Sequence, residues 1–227
     1  MNKKMAVGVI LLMLGLIALA LIATEIYGVL FNRVNIEDKT YYSFEEGELG
    51  ECELKYVLGK TGELKVRKTV FGIPLLNADA SLYAIVDNGG YVFLQVDKDR
   101  DKFDSLMAQT DSYKSGTGTA SESVSFLGKA VEMTDEQMAL VTEYFAEKGV
   151  STEVWMNNTS LYVLVQTDTV LLIIQCCISG GMMLIGIILL ILSRRDRFGE
   201  TVYVGEEPPA LAEAPAEAET PAEGNEE

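Results

Sequence analysis

The sequence predicts an α+β fold: a strand-rich extracytoplasmic domain, drawn as a small barrel or curled antiparallel sheet with two helices, held between two transmembrane helices. Three observations predict it. Two long runs, Met5–Ala23 and Val170–Leu192, are apolar and free of charge. The stretch between them alternates apolar and polar residues with a period of two. One Thr-x-x-Gln box, Thr134 to Gln137, opens an amphipathic run of helical spacing.

Composition agrees with that layout. The chain has 227 residues, 48% hydrophobic and 23% charged, with a net charge of −16. A mean hydropathy of +0.18 at that charge content requires very apolar stretches beside very polar ones. The acidic balance argues against nucleic acid as a partner, because phosphate neutralisation needs patches of Lys and Arg. With no His, the commonest metal ligand and general base is missing. Three Cys cannot build a disulfide framework. No cofactor is expected.

Residues 1–4 form a cytoplasmic start carrying Lys3 and Lys4, and 5–31 a transmembrane helix with an interfacial extension. A cleaved signal peptide is the rival reading, since Ala18-Leu19-Ala20 fits a cleavage site. Apolar residues continue past that site through Ile22, Ile26, Val29, Leu30 and Phe31, which favours an uncleaved anchor. Residues 32–168 form the external domain and 169–192 the second transmembrane helix. In 193–227 a basic stop, Arg194-Arg195-Asp196-Arg197, precedes a Pro/Ala/Glu tail. Basic residues near the spans favour the inside: Lys3, Lys4, Arg194, Arg195 and Arg197 against Arg33 and Lys39. This predicts a multi-pass cell-membrane protein with both termini cytoplasmic and residues 33–168 outside. The tail has nine acidic residues and no Lys or Arg from Phe198 on, and too few large apolar side chains to offset chain ordering. It is expected to be disordered. A solvated, self-repelling arm is favoured over one that docks a basic partner.

Within the external domain, Cys52, Leu54 and Tyr56 alternate with charged residues, as do Leu64 and Val66. Gly59-Lys60-Thr61-Gly62 between them reads as a hairpin turn. Ser81–Val86 and Tyr91–Val96 flank Asp87-Asn88-Gly89-Gly90, a second hairpin. Glu153–Met156 and Leu161–Gln166 flank Asn157-Asn158-Thr159-Ser160, a third, and Ser123–Glu132 is one more strand. A helix from Asp101, its N-cap, to about Gln109 buries Phe103, Leu106 and Met107. Thr110–Ser123 is a Ser/Gly/Thr-rich loop. The capping-box helix buries Met138, Val141 and Phe145 and ends at Gly149.

Candidate chemistry is sparse. Asp97, Asp99 and Asp101 alternate as in a calcium loop, but Lys102 and Ala108 stand where an EF-hand needs Gly and Glu. A strand-to-helix turn is the better reading. Cys52 reads as a core thiol, and Cys176 and Cys177 as packing residues within the second span. Asn157 and Asn158 head overlapping glycosylation sequons, read in preference as an Asn-rich turn. Serines 121, 123 and 125 lie in no nucleophile motif. Glu25 is an interfacial carboxylate. The most specific feature is a helix-packing stripe: Gln175, Ser179, Met182 and Gly186 share one face of the second span. Gly8 and Gly15, seven apart, share one face of the first. Small and polar residues of this kind let helices approach in lipid, so the spans are expected to pair with each other, with another protein or with a second copy.

Lys3-Lys4, two spans, a strand-rich external domain and Arg194-Arg195-Asp196-Arg197 together resemble the small double-pass bacterial membrane proteins of unknown function. The resemblance is one of architecture across the whole chain and implies no activity. The expectation is a non-enzymatic membrane protein whose external domain binds a partner or ligand. An accessory subunit of a larger membrane complex is the alternative, and a membrane-anchored hydrolase a more distant one.

Overall fold

Helix α1 (Lys3–Phe31) takes up the first apolar run and α5 (Thr169–Thr201) the second; both are long and apolar enough to cross a membrane. The computed structural model describes residues 3–41, 43–87 and 89–201. The tail beyond Thr201 and the turn residue Asn88 lie outside the described residues.

Between the helices seven strands form one open sheet: β1 (Arg33–Asn35), β2 (Leu49–Leu54), β3 (Gly59–Val70), β4 (Ile73–Asp87), β5 (Gly90–Val96), β6 (Val124–Glu132) and β7 (Thr159–Gln166). Their order is β1-β2-β6-β7-β5-β4-β3. The sheet corrects the expected barrel or curled antiparallel sheet, because β1·β2 and β5·β7 are parallel pairs. The reason lies in the connection from β5 to β7. It contains α2 (Arg100–Lys114), β6, α3 (Asp135–Glu147) and the short α4 (Thr152–Met156), enough chain to return β7 parallel to β5.

Helices cover both faces. On one, Phe103 and Leu106 of α2 pack with Tyr83, Leu94, Val96 and Phe126. On the other, Val141 and Phe145 of α3 and Trp155 of α4 pack with Leu82, Phe93 and Val163. Central β5 is therefore buried along nearly its whole length; its side chains are apolar except Gln95, whose amide is bonded to Gln137 of α3.

Several local expectations hold. In α3 the Gln137 N–H donates to Thr134 Oγ1 at 3.3 Å, and the Thr134 N–H donates to Gln137 Oε1 at 2.8 Å. Gly149 follows α3 at a φ of +74°, a conformation glycine adopts without Cβ strain. The β4–β5 hairpin pairs Asp87 with Gly90. Val124–Glu132 is a strand, as expected.

Other expectations are corrected. Gly59–Gly62 is no turn: it begins the continuous strand β3, and β2 pairs with β6 instead. The two glycines admit side chains of α3. A Cβ at Gly59 would lie 2.4 Å from the Tyr144 hydroxyl, and one at Gly62 would lie 2.7 Å from Leu140. The turn that precedes β4 is at Phe71 and Gly72, both at positive φ. Residues 153–156 belong to α4 rather than a strand, because one helical turn drops Trp155 flat onto Phe145, ring centroids 5.7 Å apart. Helix α2 starts at Arg100, with Asp99 rather than Asp101 at the N-cap, and it runs on through Lys114. Of the Thr110–Ser123 loop, the part after α2 is tied down by Gln109, whose Oε1 accepts the Ser121 and Glu122 N–H groups.

Candidate functional site

The α1–α5 seam sets how the helix pair meets the sheet. Gly8, Gly15, Ser179 and Gly186 lie between the two helices. A Cβ on Gly186 would stand 2.8 Å from the Gly8 carbonyl oxygen, and one on Gly15 would stand 2.9 Å from that of Ser179. The backbones are thus in direct contact, which only glycine at these positions allows. Ser179 is fully buried and donates its hydroxyl to the Gln175 carbonyl of its own helix at 2.9 Å. Met182 is half-buried, and its neighbour Met183 is the residue packed over Gly15. Gly180 and Gly181 face open space. Cys176 packs with Ile22 and Leu172, while Cys177 is exposed.

At the end nearer the sheet the seam opens into a cleft of about 630 Å³ between the helix pair and the sheet. Its floor is the part of the α3 face that α3 leaves uncovered, with Val66, Gln95, Val131 and Val165 from four strands. Its wall is Glu25, Gly28 and Val29 of α1 with Leu171, Leu172 and Gln175 of α5. Gly28 leaves room for Leu49 of β2, to which its Cβ would approach within 2.5 Å, so α1 is locked to the sheet at the cleft margin.

An ion network closes one side. Lys68 pairs with Asp97 and, at 3.2 Å, with Asp168. Lys98 reaches Asp168 at 2.5 Å. Asp168 also caps α5, accepting the Leu171 N–H at 2.9 Å. Burial alone would raise the Asp168 carboxyl; the Lys98 ammonium, the Leu171 N–H and Lys68 outweigh it and hold it at about 2. Burial likewise opposes the charge on Lys68, but Asp97 and Asp168 win and push its pKa above the ordinary value. Both groups therefore stay ionised at neutral pH, which suits a fixed electrostatic clamp and not a proton shuttle. Beside the clamp, Gln166 Oε1 accepts the Asp97 and Lys98 N–H groups, fixing the loop.

The chain matches no known family model, curated protein or solved structure.

The remaining candidates are spread out. Asp97 is held by Lys68, Asp99 by Lys102 at 3.2 Å, and Asp104 by the Tyr83 hydroxyl at 2.7 Å, so these carboxylates serve separate partners. Cys52 is half-buried beside the α2-side core. Asn157 and Asn158 lie at the end of α4, and the Asn158 amide donates to the Val154 carbonyl at 2.8 Å. Ser123 is bonded to Glu53. The cleft residues Lys68, Gln95, Lys129 and Gln166 escaped sequence reading, because the cleft assembles only when distant strands align. Asp168 did carry a signal: an Asp directly before a long apolar run is a helix N-cap.

Proposed function

We propose that this is a non-enzymatic double-pass membrane protein whose external domain binds a ligand in the juxtamembrane cleft. Both termini are cytoplasmic and residues 33–168 external, on the asymmetry of Lys and Arg around the spans. The observation that carries the reading is the cleft itself. Among the valines of its floor it carries the buried amide Gln95, which accepts from Gln137 of α3 at 2.7 Å, with the half-buried Lys129 beside them, and its wall of Val29, Leu171 and Leu172 is apolar. Among the described residues Lys129 forms no ion pair within 4.0 Å. That mixture suits an amphiphile: a polar head over the sheet end and an apolar portion along the helices. The ionised state of Lys68 and Asp168 supports binding over acid–base catalysis.

The test is native mass spectrometry of the full-length protein released from nanodiscs, titrated with phosphatidylglycerol and with phosphatidylethanolamine. Saturable one-to-one binding of either lipid is expected, and Val131→Trp, which fills the cleft from a partly exposed strand position, should abolish it. No saturable binding, or equal binding by Val131→Trp, would overturn the reading.

A further inference from the structure

The sheet has one feature that the packed domain does not explain. Strand β4 pairs with β5 only over Ser81–Asp87. Its first half, Ile73–Ala80, pairs with β3 alone, so the β3–β4 hairpin projects beyond the sheet as a two-stranded ribbon. The end of that ribbon is apolar on both faces. Ile73, Leu75 and Leu76 are 57%, 63% and 49% exposed. Ile73 and Leu75 point to one face and Leu76 to the other, by the alternation of a strand. A free ribbon in water gains nothing from such residues, and exposed edges of this kind invite aggregation.

The ribbon does not project at random. It descends along α5. Lys68 of β3 is paired with Asp168, the cap of α5, at 3.2 Å. Three residues on, the Phe71 N–H donates to Gln175 Oε1 at 3.3 Å. Three strand residues advance about 10 Å at ~3.3 Å each. The seven helix residues from Asp168 to Gln175 also advance about 10 Å at ~1.5 Å each. Strand and helix therefore run side by side into the region where α5 is apolar. Gln175 lies five residues inside the run that starts at Val170, about 7.5 Å deep. Its side chain leans toward the helix N-terminus, so the ribbon tip sits a few ångström shallower, where acyl chains meet headgroups. Phe71 itself packs with Ile22, Val29 and Leu172 of the helix pair.

We propose that residues 70–76, the tip of the β3–β4 hairpin, insert into the outer leaflet as a third membrane contact, with lipid as the cover for Ile73, Leu75 and Leu76. This rests on the reading of α1 and α5 as membrane spans. Charge placement fits the depth. Lys65 and Arg67 lie exposed on the ribbon just above the tip, at the height where lipid phosphates would meet them, while Lys68 is held by Asp97 and Asp168. The outer edges of a two-stranded ribbon carry unpaired backbone groups, which hydrocarbon does not tolerate, so insertion stops at the interface. With α1, α5 and the hairpin all in the leaflet, the domain is fixed in tilt and the cleft mouth is held at headgroup level.

The test uses full-length protein in phosphatidylcholine/phosphatidylglycerol vesicles, with lipids brominated near the carbonyl end or near the methyl end of the acyl chain. Leu75→Trp and Ile73→Trp replace exposed residues, and native Trp155, buried in the core, supplies a constant background. Both variants should add blue-shifted emission that is lost most strongly to bromine near the carbonyl end. Val86→Trp, in the β4–β5 hairpin, should add emission that bromine does not quench. Leu184→Trp, in mid-span on an exposed face of α5, should be quenched by bromine near the methyl end. If Leu75→Trp and Ile73→Trp stay unquenched while Leu184→Trp is quenched, the hairpin proposal falls and the spans stand. If Leu184→Trp is also unquenched, the membrane reading falls and takes this proposal with it.

Discussion

Adding one methyl group at Gly186 tests whether the α1–α5 seam holds the protein together. The Cβ of Gly186→Ala would stand 2.8 Å from the Gly8 carbonyl oxygen and 2.9 Å from the Leu12 backbone nitrogen. Both are main-chain atoms, so no side chain can swing aside. Normal contact distances of about 3.5 Å require the helices to part by roughly half an ångström or more around that point. Overpacking of that kind costs about 1–3 kcal/mol. Gly180→Ala and Gly181→Ala are matched controls in the same helix, since a Cβ at either meets nothing within 4 Å. They should be neutral or slightly stabilising, because Ala is the better helix former by up to ~1 kcal/mol. A donor–acceptor fluorophore pair at the exposed positions Leu14 and Leu184, with the native cysteines replaced, reports helix separation through a titration of mixed micelles with SDS. The midpoint should fall for Gly186→Ala and hold for the controls. Gly8→Ala combined with Gly186→Ala should be non-additive, because the two sites relax through the same displacement. Equal behaviour of Gly186→Ala and Gly180→Ala would refute the seam as the packing surface.

Two further outcomes are expected. Trp155→Ala should destabilise the external domain by about 3–5 kcal/mol, since it removes the ring stacked on Phe145 and leaves a cavity; denaturant unfolding followed by circular dichroism measures it, and a loss under ~1 kcal/mol would mean that the ring is not core. The Asp168 carboxyl is held below its ordinary 3.8, at about 2, so its contribution is present above the ordinary value and disappears as pH falls through about 2. That shift is worth at most ~2.4 kcal/mol, which screening at the exposed Lys98 reduces to ~1 kcal/mol. The stability gap between the native protein and Asp168→Asn should therefore narrow over that acid range, and a gap independent of pH would contradict the ion network.

Elements whose cause is local are readable from the order of residues. Two charge-free runs long and apolar enough to cross a membrane specify α1 and α5, because a helix pairs its backbone groups within itself. The Thr134–Gln137 box and Gly149 delimit α3, because each satisfies backbone groups within a turn of itself. Gly89-Gly90 marks the β4–β5 turn. The small residues Gly8, Gly15 and Gly186 were legible as a packing face, though Met183 at Gly15 needed the helices placed. Tertiary structure alone decided what depends on distant partners. Gly59 and Gly62 look like turn residues in isolation, yet they make room for Tyr144 and Leu140 from a helix some eighty residues on. The stretch 153–156 precedes an Asn-rich turn and reads as the first arm of a hairpin, yet Phe145 offers Trp155 a stacking partner that only a helical turn reaches. The cleft has no trace in any single segment. Lys68, Gln95, Lys129 and Gln166 come from four strands whose order in space differs from their order in the chain, and strand order is set by long-range packing that local periodicity does not encode.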